Sequence, residues 1–179
     1  MNLKSNRGFT LIELIITLTV ILILSAMGLY VYYGVIGKAD TGGIVNNVNQ
    51  LKNVSQIYAE DTGGSFYGIS AAALQADGVL PPNWTVLDNQ AIPPDTSIVS
   101  AYYIGQGADG MTGDSFDIGF MGPQITNNIV KSVCIGFENQ IAEFGYDGSA
   151  YPISTEGTNC NVIPSNNTLI TNWFILGFE

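Results

Sequence analysis

Residues 6–14 read NRGFTLIEL, and this stretch joins a short, mostly polar amino terminus to a long apolar run. Two basic side chains lie before the run, whereas from residue 9 to residue 36 the only ionisable side chain other than tyrosine is Glu13. A carboxylate near the start of a membrane-length segment is expensive to bury. Glu13 therefore requires a partner or a function.

The apolar run is long enough to cross a membrane, because a helix over residues 14–35 would extend about 33 Å. Basic residues precede the run, which predicts that the amino terminus stays in the cytoplasm. A secretory signal peptide fits less well, since the run exceeds a typical apolar core and no clean small-residue cleavage site follows it. An ordinary single-pass anchor explains the length, but it explains neither Glu13 nor the abrupt junction between Gly8 and Phe9.

The junction has a recognisable form, because KSNRG at residues 4–8 is followed directly by FTLIEL. This sequence resembles the class III signal of type IV prepilins and pseudopilins. The resemblance implies that a membrane aspartyl peptidase cuts between Gly8 and Phe9 on the cytoplasmic side and methylates the new amino group of Phe9. Glu13 matches the family's glutamate, four residues after Phe9.

The resemblance also implies an assembly role for Phe9 and Glu13. The carboxylate of one subunit would pair with the Phe9 ammonium of a subunit already docked. An isolated charge in an apolar interior costs several kcal/mol and a paired one far less, so pairing would favour addition in register. The alternative is that Glu13 lies at the level of the lipid headgroups and has no role.

The helical pattern continues beyond the membrane-length run to about residue 61, where Gly63 and Gly64 should end it. Over residues 44–58 apolar side chains recur at helical spacing, with asparagine and glutamine between them. We therefore expect residues 9–36 to form a transmembrane and polymerisation half and residues 37–62 an amphipathic half that packs on a globular domain. Glycines at positions 28, 34, 37, 42 and 43 either weaken the helix locally or permit close helix packing.

Residues 63–179 have the loop-rich composition of a globular head. Patterns of apolar residues predict helices over 71–77 and 123–137 and strands over 97–104, 115–121, 142–146 and 168–178. This order resembles the layout of type IVb pilins, although the eight-residue leader is shorter than their usual one. The predicted fold class is α+β, a "ladle" whose long amino-terminal helix packs on a small antiparallel sheet.

The chain has two cysteines, Cys134 and Cys160. An even number in an exported chain favours one disulfide, with two free thiols as the alternative. The type IVb layout implies that the two are paired and delimit a carboxyl-terminal disulfide region.

Composition argues against several functions. The formal net charge is −10 and there is no histidine, so the surface repels nucleic acid and lacks the commonest general base and metal ligand. Asp109, Asp114 and Asp117 make a calcium loop conceivable, but the EF-hand spacing is absent and Gly-Asp turns are common. We expect no catalysis and no cofactor.

The resemblance implies a major-type pilin that is an inner-membrane precursor and then part of an extracellular pilus. Its expected partners are copies of itself, a prepilin peptidase and methyltransferase, the inner-membrane pilus assembly machinery and, before assembly, the membrane. Adhesion, aggregation, motility and DNA uptake are equally compatible with such a pilus. The alternatives are a type II secretion pseudopilin, a minor pilin, or a membrane-anchored surface binding module that never assembles.

Overall fold

The structure is a computed structural model that describes residues 10–107, 113–147, 158–170 and 173–179. The chain divides into two compact units, Met1–Ala39 and Asp40–Glu179. The described elements are α1 (Leu11–Asp61), α2 (Ala71–Ala76), β1 (Thr85–Leu87), β2 (Gln90–Ile92), β3 (Ala101–Gln106), β4 (Phe116–Met121), α3 (Asn127–Phe137), β5 (Glu143–Asp147), a short 3-10 helix (Cys160–Val162) and β6 (Trp173–Phe178).

The long helix α1 ends at the glycine pair, as the sequence predicts. Gly63 and Gly64 have φ angles of 81° and 90°, in the left-handed region that glycine accepts without strain. The Gly64 amide donates to the Ala59 carbonyl oxygen at 2.6 Å, which closes the last turn of the helix.

The six strands form one antiparallel sheet in the order β1-β2-β3-β4-β6-β5. The last strand along the chain, β6, lies between β4 and β5 and is therefore central. Ile118 of β4 lies opposite both Ile104 of β3 and Leu176 of β6, and all three are fully buried. The α+β prediction is confirmed.

The second half of α1 and the helix α3 contribute apolar side chains to the same core as the inner face of the sheet. Phe137 of α3 meets Phe178 of β6 edge to face, with ring centroids 5.9 Å apart. The stripe predicted over residues 44–58 is confirmed except at Ile57, which is 44% exposed. Its buried members are Ile44, Val48, Leu51, Val54, Ser55 and Tyr58.

The hairpin of β1 and β2 was not predicted from the sequence. Asp88 and Asn89 connect the two strands with φ angles of 49° and 62°. A two-residue hairpin turn needs positive φ at both positions, which Asp and Asn tolerate better than other non-glycine residues. The Asn89 carboxamide oxygen also accepts from the Ala72 amide at 3.1 Å, so the turn is tied to the start of α2.

The strand β3 begins at Ala101, later than the predicted start at Ser97. The Ser97 amide donates to the Asp95 carboxylate at 2.9 Å, and this local turn competes with strand pairing. The hydrogen bond from the Ser97 backbone holds the pKa of the Asp95 carboxyl below its usual value.

The second predicted helix and the final predicted strand are also shorter than expected. Thr126 acts as the N-cap of α3, because its hydroxyl accepts from the Ile129 amide; the helix therefore starts after residue 126 rather than at 123. At the carboxyl end, Leu169 pairs with Thr126 in an isolated bridge instead of belonging to β6.

The disulfide between Cys134 and Cys160 is present, with an S–S distance of 2.03 Å and a Cα–Cα distance of 5.6 Å. Both cysteines are fully buried. The bond joins α3 to the short 3-10 helix that precedes β6.

Candidate functional site

The first candidate is the apolar segment Leu11–Leu29, the one part of the described chain that is long and apolar enough to cross a membrane. Its large apolar side chains are 50% to 77% exposed. Burying one leucine or isoleucine side chain is worth about 1.5–3 kcal/mol. The exposed segment therefore requires lipid or another apolar surface around it.

Glu13 lies in this segment and closes a capping box at the start of α1. The Thr10 amide and the Thr10 hydroxyl both donate to Glu13 Oε2 at 2.9 Å, and the Glu13 amide donates to Thr10 Oγ1 at 3.3 Å. This reciprocal arrangement satisfies amides that an α-helix leaves unpaired at its first turn. Hydrogen bonds to an amide and a hydroxyl leave the negative charge of Glu13 uncompensated.

Sequence reasoning singled out Glu13 but missed Thr10. The available signal was TLIE at residues 10–13, which has the Thr-x-x-Glu spacing of a capping box directly before an apolar run. The two other predicted processing and assembly residues, Gly8 and Phe9, lie outside the described residues.

Polar contacts attach the second half of α1 to the sheet. The Asn47 side chain donates to the Tyr102 hydroxyl at 3.1 Å. Lys52 donates to Gln140 Oε1 at 2.7 Å, and its ammonium lies 5.3 Å from the centroid of the Phe178 ring. Burial raises the pKa of the Tyr102 hydroxyl well above its usual value, because desolvation disfavours the phenolate.

Backbone hydrogen bonds join residues 158–170 to the amino-terminal end of α3. The Asn127 and Asn128 amides donate to the carbonyl oxygens of Thr168 and Asn166, each at 3.0 Å. The disulfide closes the same segment against α3 at its other end. Residues 158–170 are thus held along α3 by backbone hydrogen bonds and the disulfide, and Ile163 of this segment also lies in the core.

The aspartates considered for calcium do not form a metal site in the described part of the chain. Asp109 lies outside the described residues, Asp114 is exposed, and Asp117 in β4 is 4% exposed. Over residues 10–107, 113–147, 158–170 and 173–179, no three His, Cys, Asp or Glu side chains are grouped so that they could hold a metal ion. The calcium hypothesis gains no support.

Residues 3–29 match the family model of the prokaryotic N-terminal methylation motif. This motif indicates a type IV pilin-like or pseudopilin-like protein, and it implies processing by a prepilin peptidase and a role for pilus assembly machinery. Together with the apolar helix, it indicates a membrane-anchored precursor. No curated protein and no solved structure matches the chain.

Proposed function

We propose that this chain is a major-type pilin, which polymerises through its amino-terminal helix into an extracellular type IV pilus. A prepilin peptidase removes residues 1–8, and Phe9 becomes the methylated amino terminus. Residues 9–36 then form the transmembrane and polymerisation half of the helix, residues 37–62 its amphipathic half and residues 63–179 the head. Adhesion, aggregation, motility and DNA uptake are compatible with such a filament.

The observation that carries the proposal is the exposure of Leu11–Leu29 in a chain whose other unit, Asp40–Glu179, has a core of its own. Moving this segment from lipid into a bundle of similar segments changes its apolar surroundings little, so hydrophobic burial alone gives weak specificity. A polar contact is then needed to fix which copy docks where.

Glu13 meets this need. Its carboxylate is oriented by Thr10, yet its charge is uncompensated by those two hydrogen bonds. The Phe9 ammonium of a neighbouring copy would compensate the charge, and the pair would cost far less in an apolar interior than either ion alone. Addition in register is thereby favoured over other arrangements.

The direct test is to shear the surface of cells that express the chain, to image the sheared fraction by electron microscopy and to determine the amino terminus by mass spectrometry. We expect long filaments that contain this chain, beginning at methylated Phe9. A Gly8→Leu variant is the control and should accumulate in the membrane as uncut precursor.

Other outcomes would assign the chain to the alternatives. A chain that begins at Phe9 but is found only in the membrane fraction would indicate a pseudopilin or minor pilin. A chain that begins at Met1 and never enters filaments would indicate a membrane-anchored module and would refute the proposal.

A further inference from the structure

Thr10 marks the amino-terminal end of α1, on the side of the proposed cleavage site. The Leu14 amide donates to the Thr10 carbonyl oxygen at 3.3 Å, and the Glu13 amide donates to Thr10 Oγ1 at 3.3 Å. Thr10 is therefore the N-cap, and α1 begins at the next residue. Because the sequence includes residues 1–8, this is the helix start of the uncut chain.

The capping box also opposes growth of the helix toward the amino terminus. A helix that continued through residue 10 would need the Thr10 amide as a donor to the carbonyl oxygen of residue 6. That amide instead donates to Glu13 Oε2 at 2.9 Å. The donor that an added turn requires is already used, so helix growth across residue 10 must first break the capping box.

The sequence before Thr10 contains competing caps. Asn6 lies four residues before Thr10, with Ser5 next to it, and both residue types are strong N-caps. A helix capped at Asn6 would contain the bond between Gly8 and Phe9 in its first turn. The choice between the caps therefore decides whether this bond is part of a helix.

We propose that Thr10 is a positioning residue for processing, because its cap keeps the bond between Gly8 and Phe9 outside the helix, where a peptidase can bind it as an extended segment. Recognition of an extended peptide uses its main-chain amides and carbonyls, which a helix pairs internally. Proteolytic cleavage is accordingly concentrated in termini and exposed loops. The inference rests on the proposed function, since it concerns the cleavage after Gly8.

The first test measures how fast the precursor is converted to the processed chain in cells, by pulse labelling and gel electrophoresis. Thr10→Val keeps the shape of the side chain but removes the capping hydroxyl. We expect cleavage of Thr10→Val to slow about threefold or more, whereas Thr10→Ser should be cleaved as fast as the unmodified chain. Thr17→Val is the matched control, because the Thr17 hydroxyl donates to the Leu14 carbonyl oxygen and caps nothing.

The second test separates the helix boundary from a direct contact between Thr10 and the peptidase. Precursor is purified in detergent from cells that lack the peptidase, and NMR chemical shifts of the backbone at residues 6–9 report where the helix begins. We expect non-helical shifts in the unmodified chain and in Thr10→Ser, and a move toward helical shifts in Thr10→Val. Slow cleavage of Thr10→Val without such a move would overturn the inference.

Failure of this inference and failure of the proposed function give different results. If the unmodified chain is not cleaved after Gly8, the processing step of the proposed function is wrong. If the unmodified chain is cleaved and Thr10→Val is cleaved equally fast, the processing step stands and the cap at Thr10 does not control it.

Discussion

At the scale of single residues, Thr10 gives Glu13 two roles that compete for the same carboxylate. The capping box uses Glu13 Oε2 inside one subunit, whereas the proposed assembly uses the charge of the same group between subunits. A carboxylate has two oxygens and about four acceptor positions. Both roles can therefore be filled at once, and the cap fixes the direction from which a neighbouring ammonium must approach.

Substitutions at Thr10 test this coupling. Thr10→Ser keeps the hydroxyl that caps the helix and holds Glu13, and it should leave filament yield close to that of the unmodified chain. Thr10→Ala removes the cap, which costs about 1 kcal/mol, and frees the carboxylate, so yield should fall severalfold. Glu13→Ala should nearly abolish filaments while cleavage after Gly8 continues. Equal yields from Thr10→Ser and Thr10→Ala, measured in sheared fractions, would contradict a positioning role.

Tyr102 provides a pH-dependent prediction. Burial raises the pKa of its hydroxyl in the folded state, so the unfolded chain releases this proton first. Its contribution to stability is complete below about pH 10 and is lost as the pH rises beyond it, at up to about 1.4 kcal/mol per pH unit.

The comparison is between the unmodified chain and Tyr102→Phe in detergent, by chemical unfolding from pH 8 to pH 11.5. At pH 8 the variant should be about 1 kcal/mol less stable, because Asn47 loses its partner. Above pH 10 the difference in the free energy of unfolding between the two chains should become smaller, because only the unmodified chain has the Tyr102 hydroxyl to lose. Tyr67→Phe, at a ring that is 70% exposed, is the control for loss of a surface hydroxyl. If the difference in the free energy of unfolding stays constant with pH, the Tyr102 hydroxyl does not have a raised pKa in the folded state.

At the scale of elements, the helices were more predictable than the strands. In α1 the apolar period of 3.6 runs from Ile44 to Tyr58, and the glycine pair at its end is a strong local signal. Such signals lie in contiguous sequence. The bounds of α3 and β3 were set instead by single polar side chains, Thr126 and Asp95, which no period reveals.

The sheet order could not be derived from the sequence. The hairpin of β1 and β2 has strands of three residues, too short for an alternation to be recognised, although Asp88-Asn89 between short apolar pairs is a usable turn signal. The placement of β6 between β4 and β5 depends on pairing between distant parts of the chain. No local propensity encodes such pairing.

The disulfide should stabilise the head chiefly by restricting the unfolded chain. The two cysteines are 26 residues apart, which gives about 3–4 kcal/mol in the chain-entropy model. We expect Cys134→Ser with Cys160→Ser to lose about that much in chemical unfolding. Hydrogen exchange should rise over residues 158–170, which would then be held to α3 by hydrogen bonds without a covalent link. Unchanged stability in the double variant, or after reduction of the unmodified chain, would contradict this.

At the scale of the whole molecule, the apolar segment was predictable because its signal is contiguous and unusual. The length of the apolar run predicts a membrane segment, and the carboxylate in NRGFTLIEL led us to propose a role in assembly for it.

Charge should also make assembly depend on salt. Loss of residues 1–8 removes Lys4 and Arg7, so the formal side-chain charge of −10 becomes −12 in a processed subunit. Repulsion between neighbouring heads acts over about 30 Å at 0.01 M salt and about 8 Å at 0.15 M. Filaments should therefore shorten or dissociate on dialysis into low salt and persist near 0.15 M, as measured by sedimentation and electron microscopy.

A variant with Asp77, Asp88 and Asp95 changed to Asn should tolerate lower salt, since it carries three fewer exposed carboxylates. Filaments of both chains that respond identically to salt would show that repulsion between the heads does not limit assembly.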